Sequence, residues 1–409
     1  MGDARNQRLA VIGAGPIGLE AALLGVARGW DVRVFERGRV AEHVRDWGHV
    51  KLFSPFGWNS SEFGRQAIRA GFGAAALPSD DELLTGRQFA ERYLDPLSRL
   101  PDLAGRIHEN TEVVGVARSR WLKGEKIGRP QRADEPFQLL LRDARGERTA
   151  EADVVLDCSG VYGRHNFIGA GGMPCPGERD ALADRDYRLP DMLGTQRAEF
   201  AGKRMLVVGS GFSAATAVVA LAKLAAAEPG TTAVWITRTG CTPPMERIDG
   251  DPLRERDRLA AAANELALGE RTPVDWRPST VVLRVARCGP AGEYDVELQT
   301  EHRDPQQITV DRIVANVGYR PDRSLYEELQ VHECYATQGP IKLAAALLGE
   351  TSRDCLAQSS HGIDALRNPE PGFFILGAKS YGRDSRFLIS VGLRQIQDVF
   401  DAIGGQDEG

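Results

Sequence analysis

Two short apolar runs, Leu9-Ala10-Val11-Ile12 and Met205-Leu206-Val207-Val208, each stand directly before a glycine turn and an Ala/Leu-rich stretch. An unbroken apolar run of this length reads as a strand buried on both faces of a parallel sheet, and the stretch after it reads as a helix. The first helix is predicted to stop at Gly29 and the second near Pro229-Gly230, residues suited to ending a helical ladder. Two further strands follow, Asp31 to Phe35 and Ala233 to Thr237, and each delivers a charged residue at its end, Glu36 and Arg238. A second repeated element lies downstream: Asp153 to Gly160 and Asp311 to Gly318 are strands ending in small-residue turns. Before each comes a stretch of alternating polarity with turn residues, Gln138 to Arg142 with Gly146, and Val281 to Val285 with Gly289 and Gly292. The pattern closes with a buried strand over Gly372 to Gly377 and a helix from about Leu388 to Ile403.

The two halves use one device twice, because residues 11–22 align without gaps on residues 207–218. Strand, glycine turn, helix and acidic or basic strand end are the parts of a dinucleotide-binding unit, here with an antiparallel insert and a returning strand. The predicted fold class is α/β, with two Rossmann-type dinucleotide-binding domains. The second is inserted into the first: residues 1–163 and 319–409 form one domain and 164–318 the other.

Composition narrows the classes. A length of 409 residues suits two to three domains, and 42% hydrophobic with 26% charged residues is ordinary for globular chains, which excludes disordered, collagen-like and coiled-coil readings. The 51 Lys and Arg against 57 Asp and Glu give a net charge of −6 with no long single-sign run, so no nucleic-acid partner is expected. Six scattered cysteines without a C-x-x-C pair suit a reducing compartment, and the cytoplasm is the expected location. The best apolar stretch, Ala214 to Ala222, ends at Lys223, too short to span a membrane. Arg5 and Arg8 before Leu9 superficially imitate a secretion signal, but glycines and Glu20 interrupt the apolar region, which is read as mature structure. The seven histidines lack metal-ligand spacing, so no metal is expected.

In the first turn, Gly13-Ala14-Gly15-Pro16-Ile17-Gly18, Gly13 permits the tight turn, Gly15 close approach of a pyrophosphate, and Gly18 close packing of helix on strand. Phosphates then face the positive end of the helix dipole, and Glu36 accepts hydrogen bonds from ribose hydroxyls. The second turn carries Gly209, Gly211, Phe212, Ser213 and Ala214 and lacks the acid. Arg238 in its place accommodates a ribose 2′-phosphate, which favours NADPH over NADH. One nucleotide brings reducing equivalents in, and a tightly held flavin, FAD, accepts them.

This order of motifs resembles the superfamily of two-dinucleotide-binding-domain flavoproteins over nearly the whole chain. Phe200-Ala201-Gly202-Lys203 running into Gly209-Ser210-Gly211-Phe212-Ser213-Ala214 looks like the NADPH-site entry of flavin-containing monooxygenases. The chain departs from that pattern in two places. No F-x-G-x-x-x-H signature precedes this entry, where Gly169 to Glu178 stands instead, and the late Gly-Asp of many relatives is Gly377-Ala378, followed by Lys379. The resemblance implies FAD contacts from Arg37, Val113, Gly160, Gly377, Lys379 and Leu388, with backbone amides and Lys379 standing in for the aspartate.

It also implies that the aromatic-rich segment Trp47 to Phe63, which reads as a loop, lies beside the flavin ring. There His49, Ser54, Trp58 and Asn59 are the candidate catalytic residues of a dry pocket. The implied activity is monooxygenation of a small soft nucleophile, an amine or thiol, through a flavin hydroperoxide, with oxygen as co-substrate and a homodimer as the possible assembly. The alternatives are an NADPH-dependent reductase or oxidase without oxygen insertion, and a non-catalytic redox sensor. A dithiol disulfide reductase is disfavoured, because no two cysteines stand close in sequence and Cys158 reads as a small buried hydrophobe. In Arg238 to Gly269, Asp251-Pro252 predicts the start of a helix that is either a lid or a solvated surface helix.

Overall fold

The computed structural model describes residues 7–73, 77–290, 292–350, 356 and 361–404; Cys355 lies outside them. The chain divides into two units, Met1–Arg164 with Arg320–Gly409, and His165–Tyr319. Seven strands precede the boundary: β1 (Arg8–Ile12), β2 (Asp31–Phe35), β3 (Ile107–His108), β4 (Glu112–Arg118), β5 (Phe137–Asp143), β6 (Gly146–Ala152) and β7 (Val154–Asp157). Seven belong to the second unit: β8 (Arg204–Val208), β9 (Thr232–Ile236), β10 (Val274–Arg277), β11 (Thr280–Cys288), β12 (Glu293–Thr300), β13 (Gln306–Val310) and β14 (Arg312–Ala315). The chain returns to the first unit with β15 (Phe373–Ile375).

In the first unit, β15-β7-β1-β2-β3 form a parallel sheet in that order, and β4-β5-β6 a separate antiparallel one. The helix α1 (Pro16–Ala27) packs Leu19, Ala22 and Leu23 into a core with Leu9, Val11, Val32 and Val34. The helix Ile389–Gly404 adds Ile396, Val399 and Phe400 to the same core. On the other face, Ala10, Ile12, Phe35 and Phe373 meet Val116, Phe137, Leu139 and Leu141. Alternate residues of β5 face inward, as a two-residue period requires. A fully buried Arg118–Glu370–Arg132 network ties the connection between β4 and β5 to the segment before β15, with nitrogen–oxygen distances of 2.8 and 2.7 Å.

The second unit has a parallel sheet, β10-β9-β8-β14, and an antiparallel one, β11-β12-β13. The α/β class and the paired Rossmann-type sheets read from the sequence are observed. Two local expectations are corrected. The helix after Asp251-Pro252 starts at Arg254, and Asp251 instead accepts from the Leu253 amide at 2.8 Å and pairs with buried Arg256 at 2.7 Å. The aromatic segment is not all loop: a helical turn covers Phe56–Trp58, and a helix capped by Ser61 runs over Glu62–Phe72 and takes in Phe63. Among the described residues, no helix is long and apolar enough to cross a membrane.

Candidate functional site

The first glycine turn lies at the carboxyl ends of the parallel strands. The Gly13 amide donates to the Phe35 carbonyl at 2.8 Å, and its φ of +98° suits glycine alone among common residues. A Cβ on Gly13 would stand 2.9 Å from the Cys158 carbonyl, and one on Gly18 would collide with the Gly13 carbonyl. A Cβ on Gly15, in contrast, meets nothing within 4 Å. Gly15 caps α1 without any side-chain bond, and Pro16 opens the helix. The first helical amides therefore face open space, the geometry that accepts a phosphate.

Glu36 closes one side of this turn. Its Oε2 accepts from the Ala14 amide at 2.8 Å and its Oε1 from the Gly38 amide at 2.9 Å, so each oxygen keeps capacity for a ribose hydroxyl. The Glu36 and Gly38 carbonyls bind the Thr111 and Asn110 amides at 2.8 and 2.7 Å, which brings the start of β4 alongside. Val113 belongs to this edge, but its side chain is buried in the core, leaving only its backbone for contact. Arg37 is turned toward His43, 3.0 Å from its Nε2.

Ile17 is clasped by two other glycines: a Cβ on Gly377 would stand 3.2 Å from it, and one on Gly392 2.5 Å. This brings Gly377 and the start of the helix after Leu388 against the first turn. Gln395, which the sequence reading missed, is buried there, accepting from the Gly377 amide at 2.8 Å and donating to Ser380 Oγ at 2.9 Å. Lys379, the expected stand-in for the aspartate of relatives, is buried. Its ammonium points inward, 2.6 Å from Asp157 Oδ2 and 3.0 Å from Ser159 Oγ, with the Tyr326 ring 5.2 Å away. Asp157 Oδ1 accepts from the Ser159 amide and hydroxyl at 3.1 and 2.6 Å, so the buried pair braces the turn leading to Gly160. Burial pushes the thiol of Cys158, within this turn, well above its ordinary value, which keeps it a neutral packing group.

The four candidate catalytic residues are dispersed in character. Ser54 Oγ donates to Asn59 Oδ1 at 2.8 Å, and Asn59 Nδ2 donates to the Ser54 and Pro55 carbonyls at 3.0 and 3.1 Å. Both are buried, and their polar atoms serve each other. His49 is half-buried, and Trp58 is 42% exposed in place of walling a dry site. The loop is fastened from below by Glu20, a buried carboxylate on α1 that accepts from Ser61 Oγ at 2.6 Å, from the Ser61 amide at 3.0 Å and from Tyr93 Oη. A charge in the middle of an apolar helix was the only signal of that role.

The second unit repeats the first turn. The Gly209 amide donates to the Ile236 carbonyl at 3.1 Å, and its φ is +139°. Gly211 caps the helix Phe212–Ala227 without a side-chain bond and has nothing within 4 Å of its Cβ position. Ser213 is exposed, Phe212 half-buried, and Ala214 buried where the first unit has Gly18. Arg238 follows β9, exposed and without an ion-pair partner among the described residues. Asn316, at the end of β14, is buried beside Gly209, a neighbour the sequence reading passed over.

No protein-family model and no curated protein matches the chain. Solved structures do. Bacillithiol disulfide reductase from Bacillus cereus superposes with a TM-score of 0.67 at 17% identity, covering 98% of this chain and 99% of that one. The chain shares the fold of that protein over nearly its whole length. Thioredoxin reductase of T. acidophilum shares this fold at TM-score 0.59 and 14% identity, over 97% of this chain and 98% of that one. The ornithine N-hydroxylase of Kutzneria sp. 744, solved with reduced FAD, NADP+ and ornithine, shares it at TM-score 0.60 and 15% identity, over 98% and 99%.

Proposed function

We propose that this flavoprotein-fold chain is an FAD- and NADPH-dependent oxidoreductase, with FAD in the first unit and NADPH in the second. The observation that carries this reading is the pair of glycine turns. Each opens a helix, each leaves free space at its middle glycine, and one is answered by Glu36 and the other by Arg238. Bound FAD would supply hydride acceptance and transfer of the electrons onward. Glu36 holds the ribose hydroxyls, the amides after Gly15 hold the pyrophosphate, and the Asp157–Lys379 brace keeps the turn before Gly160 in shape. In the second unit, the amides after Gly211 take the other pyrophosphate and Arg238 the 2′-phosphate.

Within that class we infer monooxygenation of a small amine or thiol: substrate, oxygen, NADPH and a proton give oxygenated substrate, water and NADP+. Support comes from the cysteines, since no two are close in sequence and Cys158 and Cys175 have thiols pushed up, the latter to about 12. The mutual hydrogen bonds of Ser54 and Asn59 hold the loop that the resemblance places beside the flavin ring in one conformation. The second reading, NADPH-dependent reduction of a disulfide, draws on the likeness to bacillithiol disulfide reductase. The deciding experiment measures NADPH consumed, oxygenated product and peroxide in air with candidate amines and thiols. Product coupled to NADPH supports oxygen insertion, and Asn59→Ala then raises peroxide per NADPH. No product with any of them, alongside rapid reduction of a low-molecular-weight disulfide, moves the assignment to the reductase.

A further inference from the structure

Within the first unit, a cavity of about 360 Å³ is lined by four cationic side chains, Lys123, Arg164, Arg320 and Arg323. Against them stand two lining carboxylates, Glu327 and Glu333, and a third, Asp322, that pairs with Arg164; Glu333 is already engaged by Tyr326 Oη at 2.8 Å and Arg323 at 3.2 Å. The cations are held in place without being exhausted. Lys123 Nζ donates to the Glu327 carbonyl at 2.6 Å and Arg164 to Asp322 at 2.8 Å, which leaves an ammonium and a guanidinium with further hydrogens to give.

One polar atom in the wall has the opposite need. Gln338 Oε1 is buried with no hydrogen-bond partner, a cost that a ligand donor would remove. Its backbone has a φ of +61°, the left-handed region that a non-glycine residue occupies at a cost and that concentrates at functional positions. Leu329 and Val331 supply apolar lining.

We propose that this cavity binds a small organic carboxylate that carries a hydroxyl or amide N–H and an apolar body. The cations take the carboxylate, Gln338 Oε1 accepts from the donor, and Leu329 and Val331 meet the hydrocarbon. The proposal does not rest on the flavin reading.

The test is calorimetric titration of the full chain with mandelate, phenylacetate and benzyl alcohol. Mandelate is expected to bind one-to-one, phenylacetate more weakly, and neutral benzyl alcohol not at all. A charge-assisted hydrogen bond contributes about 1.5–3 kcal/mol, so Lys123→Met and Arg164→Gln should each weaken mandelate about tenfold or more. Gln338→Gly, which keeps the left-handed backbone, should erase the preference for mandelate over phenylacetate while phenylacetate still binds. Circular dichroism confirms that each variant is folded. No saturable mandelate binding up to about 10 mM, equal binding of benzyl alcohol, or unchanged affinity in both charge variants overturns the proposal.

Discussion

The ammonium of Lys379 lies 2.6 Å from Oδ2 of Asp157, and the two side chains are 1% and 0% exposed. Removing one member of such a pair leaves an uncompensated buried charge, which costs about 3–5 kcal/mol. Lys379→Met should therefore lower stability in urea by that order, and Asp157→Asn combined with Lys379→Met should restore more than half of it. A single variant as stable as the parent would mean that the pair contributes nothing to the turn.

The open space at Gly15 and the carboxylate at Glu36 make separate predictions about the bound flavin. Gly15→Val fills the approach to the helix amides, and Glu36→Arg replaces the ribose acceptor by a donor; both should purify folded and colourless. Gly18→Ala acts differently, because its Cβ collides with the Gly13 carbonyl and should lower thermal stability as well. Full flavin absorbance in the first two variants would remove FAD from the first unit.

Arg238 tests the second nucleotide. A charge-assisted contact to a 2′-phosphate contributes about 1.5–3 kcal/mol, so Arg238→Ala should weaken NADPH use about 10- to 150-fold. NADH use should barely change. Steady-state kinetics with both cofactors check this, and equal losses would assign Arg238 to the fold.

Glu20 predicts a pH dependence of stability. Burial raises its pKa above the ordinary carboxylate value, against the hydrogen bonds from Ser61 and Tyr93 that lower it. The folded state then holds the proton more tightly than the unfolded chain, so the contribution is fully present below the ordinary carboxylate pKa and is lost as pH rises through the raised folded value. Glu20→Gln, permanently neutral, should lose less stability over that rise than the parent, and denaturant titrations across the range read the difference. Parallel curves would show that Glu20 is ionised in the folded protein as it is in the unfolded one.

The strand–turn–helix repeats were legible because local rules determine them: an apolar run, a glycine that alone fits a tight turn, and a charge at a strand end all lie within a short window. Tertiary partners were not. The pairing of Lys379 with Asp157 could not be read, because Asp157 lies on a strand brought beside it only by the sheet order. Asn59 and Ser54, expected as catalytic groups, satisfy each other across a tight bend, a pairing that no sequence pattern shows. Glu20 reads only as an interruption of an apolar stretch, since nothing local shows that Ser61 and Tyr93 meet it. The start of the helix at Arg254 was misplaced because Asp251 caps the Leu253 amide and pairs with Arg256 instead of opening the helix at Pro252.

The sheet order also bears on how the chain is made. β7 has β1 on one side and β15 on the other, yet β15 begins at Phe373, long after the whole of His165–Tyr319 has been synthesised. During translation, the contiguous second unit has all its strands available first, while one edge of β7 waits for β15. An unpaired parallel strand rich in valine and leucine is an aggregation-exposed edge. A ribosome stalled before Phe373 would therefore display a second unit that resists protease and a first unit that does not.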